Sequence, residues 1–186
     1  IRPDGSGLEQ LTAGSEESGW VPLLSPDRTR LATNSARGVR IFDARGTAPW
    51  ATFESVADPE TESVPRFDAW SWSPDGTRLA GFANLTGQVL AGGGRRVAFR
   101  NLSEHTLRSF DVDGIGVAWL PDGRRLLVSS GPDGLRTLDT VTGVARAVAG
   151  GEAFAQTRAS FSADLRTTIL FRNLQEADIW LAEGIE

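Results

Sequence analysis

The 186-residue sequence contains no cysteine, methionine or tyrosine, and all 19 of its basic residues are arginine, with no lysine. Without cysteine there is no disulfide framework, no thiolate nucleophile and no sulfur-ligated metal. There is one histidine, His105, in Asn101-Leu102-Ser103-Glu104-His105-Thr106, a stretch that reads as a turn between strands. One imidazole and no thiol are too few ligands for a structural zinc site. Serine hydrolase chemistry needs a base held beside the nucleophile, and the sequence has no Gly-x-Ser-x-Gly elbow. No apolar run approaches the roughly 20 residues that span a bilayer. The expectation is therefore no catalytic residue, no metal, no cofactor and no membrane insertion.

A one-sided charge is missing too. The net charge is -5, and the arginines are spread along the whole chain instead of forming a basic stripe. A nucleic-acid binder needs such a stripe, so nucleic acid is not an expected partner.

What the sequence does have is glycine, 21 residues of it, and a repeat. Ser25-Pro26-Asp27-Arg28-Thr29-Arg30-Leu31-Ala32 recurs as Ser73-Pro74-Asp75-Gly76-Thr77-Arg78-Leu79-Ala80 and as Leu120-Pro121-Asp122-Gly123-Arg124-Arg125-Leu126-Leu127. A decayed fourth copy is Ser162-Ala163-Asp164-Leu165-Arg166-Thr167-Thr168-Ile169. The copies stand 48, 47 and 42 residues apart. Four-stranded propeller blades repeat at about 40–50 residues.

Local chemistry favours strands over helices at this period. Proline presets φ, aspartate bonds nearby backbone, and glycine accepts positive φ, so Pro-Asp-Gly is a turn. Each turn lies between short apolar stretches such as Phe67–Trp72 and Arg78–Phe82, which read as hairpin strands. Third strands follow at Val39–Phe42, Val97–Arg100, Leu135–Leu138 and Ile179–Leu181, and weaker fourth strands at Trp50–Phe53, Leu107–Phe110 and Val144–Ala147. No segment keeps a 3.6-residue apolar period, so helix content should be near zero.

These units resemble the TolB-type propeller repeat, marked by Phe-Ser-Pro-Asp-Gly before an apolar strand; Trp72-Ser73-Pro74-Asp75-Gly76 is the closest copy. Ile1–Thr12 is similar to that family's crossing from third to fourth strand, and Ala177–Leu181 to its third strand. The departures are Arg28 in place of glycine and Ala163-Asp164-Leu165 in place of Pro-Asp-Gly.

The resemblance implies an all-β fold: a β-propeller with about four four-stranded antiparallel blades, at about 21–53, 67–110, 115–148 and 157–183, with 1–12 as an outer strand. Two arrangements fit. Residues 8–12 could complete the last blade and close a four-bladed disc. Alternatively, the chain is half of a six- to eight-bladed ring, which implies missing N-terminal blades or self-association. The larger ring is the expectation. The resemblance further implies a non-enzymatic scaffold for a protein or peptide partner, in a bacterial periplasmic or extracellular setting. The alternative it leaves open is the gating propeller of a prolyl-oligopeptidase-type peptidase or other hydrolase.

Several local patterns have ordinary readings. Gly92-Gly93-Gly94 before Arg95-Arg96 lacks the lysine and helix start of a phosphate loop and reads as a hairpin tip. Asp111-Val112-Asp113-Gly114 shares only the start of a calcium-loop pattern and reads as a turn. Asn84-Leu85-Thr86 and Asn101-Leu102-Ser103 fit a glycosylation sequon. Trp70, Trp72 and Trp119 read as packing between blades, with sugar stacking as the functional alternative.

One functional inference follows from the meander. Its connections alternate between two faces, and the two longest insertions, 54–66 and 84–96, share one of them. Long loops on a rigid scaffold are where binding concentrates. The candidate binding residues there are Asp58, Glu60, Glu62, Arg66, Arg95 and Arg96.

Overall fold

A computed structural model describes residues 5–7, 20–35, 38–44, 53–55, 66–84, 95–114, 116–129, 134–149, 157–161 and 168–172. All regular structure among them is β. The first sheet is β1 (Trp20–Leu24), β2 (Arg30–Ser35), β3 (Gly38–Asp43) and β4 (Phe53–Ser55). The second is β5 (Arg66–Trp72), β6 (Arg78–Asn84), β7 (Arg95–Asn101) and β8 (Leu107–Gly114). The third is β9 (Gly116–Trp119), β10 (Arg125–Ser129), β11 (Leu135–Asp139) and β12 (Ala145–Ala149). A hairpin of β13 (Thr157–Phe161) and β14 (Thr168–Arg172) follows. Each sheet pairs its strands in chain order, all antiparallel.

The first strand of each sheet packs on the first strand of the next, β1 on β5, β5 on β9 and β9 on β13. Two apolar clusters fill the spaces between sheets. One joins Val39 and Ile41 to Phe67, Ala69, Trp72 and Leu79. The other joins Phe82 and Val97 to Val117, Trp119, Leu126 and Val128. Along β6, Leu79 and Ala83 belong to the first cluster and Ala80 and Phe82 to the second; alternation thus gives that strand an apolar residue for each flanking space, and removing that area from water is the main favourable term.

The repeat motif builds the turn between the first two strands of each sheet. In the first, Asp27 Oδ1 accepts from Ser25 Oγ, Thr29 N and Thr29 Oγ1, while Ser25 Oγ accepts from Arg30 N. The second repeats every bond with Asp75, Ser73, Thr77 and Arg78. In the third, Leu120 has no hydroxyl, and Asp122 Oδ1 takes both Arg124 N and Arg125 N, each at 2.9 Å. The fourth turn position is left-handed in all three, at φ 59 for Arg28, 68 for Gly76 and 62 for Gly123. Arg28 thus adopts a glycine conformation despite its side chain.

Several boundaries differ from the sequence reading. The fourth strand of the first sheet is described at Phe53–Ser55, two residues of which the sequence reading assigns to the link; Trp50–Thr52 lie outside the described residues. Arg66 opens β5, and Arg95 and Arg96 open β7, all three having been placed in insertions. Asp111–Gly114 is the end of β8, not a turn. The proposed closing strand at 8–12 and the strand at 179–181 lie outside the described residues, as do the blade ends beyond 172.

Candidate functional site

The expected binding face is built where both insertions meet the second sheet. Arg66 pairs with Asn84 across β5 and β6, and Ala83 pairs with Arg96 across β6 and β7. Arg95 pairs with Gly114 across β7 and β8. The stubs of the link and of the long hairpin are therefore side by side on one end of one sheet. Asp58, Glu60 and Glu62 lie outside the described residues, so their expected proximity to Arg95 and Arg96 is not seen.

Arg95 and Arg96 are held by carboxylates of their own sheet. Arg95 Nη1 is 3.3 Å from Asp68 Oδ2, and Arg96 Nη1 is 2.9 Å from Asp111 Oδ1. Asp68 is 4% exposed. A buried carboxylate is costly without a cation, so Asp68 fixes where Arg95 stands. The Arg95 side chain remains 47% exposed, with guanidinium donors facing solvent. Asp68 was not singled out from sequence. Its signal was a lone carboxylate in the apolar run Phe67-Asp68-Ala69-Trp70.

The opposite face carries the motif turns, and it contains residues whose role the repeat did hint at. Arg30 Nη2 donates to Gly76 O of the next sheet at 2.6 Å, and its guanidinium carbon lies 4.9 Å from the Trp72 ring centre. One sheet on, Arg78 Nη2 donates to Gly123 O at 2.8 Å and sits 4.5 Å from the Trp119 ring. The arginines of the first and second motifs thus clasp the glycine carbonyl of the next motif while stacked on the tryptophan before it. Hydrogen bonding and cation–π attraction act together in this clasp. Trp72 and Trp119 are 8% and 2% exposed, so both serve packing and neither offers a sugar platform.

The turn carboxylates are strongly acidic. Hydrogen bonds from Ser25 and then Thr29 hold Asp27 at about 2. Burial pushes Asp75 up, but hydrogen bonds from Ser73 and Thr77 and the charge of Arg78 outweigh it and leave it at about 2. Asp139, at the β11–β12 turn, is held at about 2 by Arg124, whose Nη2 is 2.7 Å away, and by the amides of Thr142 and Val141. These groups are spoken for as anionic turn caps and have no proton to trade near neutral pH. His105 stands exposed in the β7–β8 turn at φ 55. Asn101, of the second sequon, accepts from Ser103 N, Ser103 Oγ and Glu104 N and so caps that same turn.

No protein-family model and no curated protein matches the sequence. Among solved structures, the chain is similar to the WD40 repeats of RRP9, with a TM-score of 0.54 and 13% identity over 79% of this chain and 43% of that one. It also aligns with the dipeptidyl peptidase 4 of Porphyromonas gingivalis, with a TM-score of 0.48 and 14% identity over 68% of this chain and 24% of that one. The chain spans less than half the length of either. WD40 repeats are four-stranded blades of a propeller. Successive four-stranded antiparallel sheets, packed first strand to first strand, together with that likeness identify the fold as a β-propeller.

Proposed function

We propose that the chain is a non-enzymatic, TolB-like propeller scaffold that holds a protein or peptide on the face bearing residues 54–66 and 84–96. The observation that carries this reading is the adjacency of Arg66, Asn84 and Arg95 at one end of the second blade, which brings the two longest insertions to one place. A rigid blade presents them, and Asp68 anchors Arg95 with donors left for a ligand carboxylate. The ligand that suits it is an acidic or polar segment of a protein, since the half-exposed Arg95 guanidinium favours polar contacts over a small apolar molecule.

A phage-displayed library of linear peptides tests the reading. Selected peptides should bind the intact chain and lose affinity about tenfold or more when residues 57–64 and 86–93 are both replaced by short Gly-Ser links. Equal binding to the double-shortened chain, or an empty selection, overturns the binding reading. Turnover in a peptidase, esterase and glycosidase panel that survives repurification overturns the non-enzymatic one.

A further inference from the structure

The clasp between the first two blades ends on Gly76 O, and the clasp between the next two begins at Arg78. The groups between these two ends are bonded to one another. The Gly76 carbonyl shares a peptide unit with Thr77 N, which donates to Asp75 Oδ1 at 3.0 Å. The other oxygen, Asp75 Oδ2, accepts from Arg78 Nη2 at 3.4 Å. Arg78 Nη2 also donates to Gly123 O at 2.8 Å. The third motif then repeats the order. The Gly123 carbonyl shares its peptide unit with Arg124 N, which donates to Asp122 Oδ1 at 2.9 Å, and Asp122 Oδ2 accepts from Arg125 Nε at 2.6 Å. A continuous chain of guanidinium, peptide and carboxylate thus runs from Arg30 through Asp75 and Arg78 to Asp122 and Arg125. It crosses both joints on the face of the motif turns.

Neighbouring bonds in such a chain reinforce one another. A guanidinium on a carbonyl polarises the peptide unit and makes its amide a better donor, and a carboxylate on that amide makes the carbonyl a better acceptor. Both carboxylates are anionic near neutral pH. Asp75 is held at about 2, and Asp122, though burial pushes it up, is kept below the usual carboxylate range by the amides of Arg125 and Arg124 and by the Arg125 guanidinium. Bonds with a charged partner are roughly twice as strong as neutral ones. Asp75 Oδ1 also accepts from Ser73 Oγ and Thr77 Oγ1, so the carboxylate moves with its turn. The weakest step is from Asp75 to Arg78, where the carboxylate side chain is 52% exposed.

We infer that this chain couples the two joints: loosening the hold of the first blade on the second loosens the hold of the second on the third, and Asp75 is the positioning residue that transmits the change. The coupling involves no ligand, so it stands apart from the binding reading of the opposite face.

Native-state hydrogen exchange on the intact chain at pH 7 tests it. The reporter is the Arg124 amide, one joint beyond the Arg30 clasp. The control is the Gly143 amide, which donates to Asp139 O in the same blade and lies outside the chain of bonds. Arg30→Leu should speed exchange at Arg124 about threefold or more and leave Gly143 unchanged. Arg30→Gln, a milder loss of the same donor, should act in the same direction and replaces Arg30→Leu if that variant does not fold. Asp75→Asn keeps an oxygen for Thr77 N but turns the group facing Arg78 into a donor. On that background the change at Arg30 should no longer reach Arg124. Exchange at Arg124 that ignores Arg30, or Gly143 speeding as much as Arg124, overturns the inference. So does an equal response with Asp75→Asn, which would mean that the backbone alone carries the effect.

Discussion

The joint between the first and second blades and the joint between the second and third share one tier and differ in the next. At the motif turns they are copies: arginine on tryptophan, guanidinium on glycine carbonyl. Deeper in, equivalent positions hold Asn34 and Phe82. Asn34 bonds the next blade twice, its Nδ2 donating to Ala69 O and its Oδ1 accepting from Ala69 N, both at 2.8 Å. Ala69 is free to be held because β5 bulges there, its register jumping from Ala69 to Ser71. Phe82 instead plugs the second joint with Val97, Val117 and Val128. Gly114 has to be glycine at that point, since a Cβ there would be 2.8 Å from Val128 and 3.2 Å from Phe82. One joint is keyed by hydrogen bonds and the other by shape. The lesson is that the repeat dictates the turn tier, while each joint solves its own interior.

Removing the shared part should hurt both joints most. Trp72→Ala and Trp119→Ala should each cost about 3–5 kcal/mol in urea unfolding. Phenylalanine separates them: Trp72 Nε1 donates to Leu23 O at 2.9 Å, whereas Trp119 Nε1 has no hydrogen bond among the described residues. Trp72→Phe should therefore cost about 1 kcal/mol more than Trp119→Phe. Equal costs would mean that the indole bond contributes nothing.

Breaking the part that differs should come next. Asn34→Ala leaves a buried amide and a buried carbonyl of Ala69 unpaired, for about 2–4 kcal/mol. Asn34→Leu, though apolar and of similar size, should not rescue it, because the polar partners remain. A stable Asn34→Leu variant would show that the first joint can close by shape as the second does.

The two tiers also differ in how far the sequence discloses them. The turns were legible because their bonds are local: Ser, Asp and Thr in the motif bond within five residues of one another. The buried role of Trp72 and Trp119 was legible from their place beside those turns. The arginine clasp was present as a signal, at 30, 78 and 125, but its acceptor is about one repeat away and bears no mark of its own. Asn34 could not be read at all, since its partner is 35 residues distant and depends on a bulge. On the candidate face, the meander was enough to place the insertion stubs together. The start of β7 was misplaced because arginine is equally at home at a hairpin tip and on an exposed strand end. Asp68, the buried anchor, was passed over because one carboxylate in a strand looks like an ordinary outward residue until its burial is known.

Acid offers a gentler probe that should act on the turn tier alone. Asp27, Asp75 and Asp139 are held at about 2 in the folded chain, against an ordinary value of 3.8. Folded values below unfolded ones mean that their contribution is complete above about pH 4 and is lost as pH falls through 2. The urea midpoint should therefore drop between pH 4 and pH 2. Asp75→Asn keeps an acceptor for Thr77 and has no proton to gain, so its drop should be shallower. Combining Asp75→Asn with Asn34→Ala should give additive losses at pH 7 if the tiers are independent. An Asn34→Ala chain that loses more on acidification than the parent would show that the tiers are coupled.

The smallest expected effect is at the turn where the first blade departs from the other two. A non-glycine residue in the left-handed region costs about 1–2 kcal/mol, and glycine returns about 0.5–1 kcal/mol of that through its freer unfolded chain. Arg28→Gly should thus gain a few tenths to about 1 kcal/mol, seen as a slightly higher Tm. The same change at His105, φ 55, should gain about as much, which makes it the reference for a left-handed turn outside the repeat motifs. The chain therefore keeps at Arg28 a residue that its own fold would trade away. If Arg28→Gly instead destabilises the chain while His105→Gly stabilises it, the Arg28 side chain supports its own blade, and that account of the departure fails.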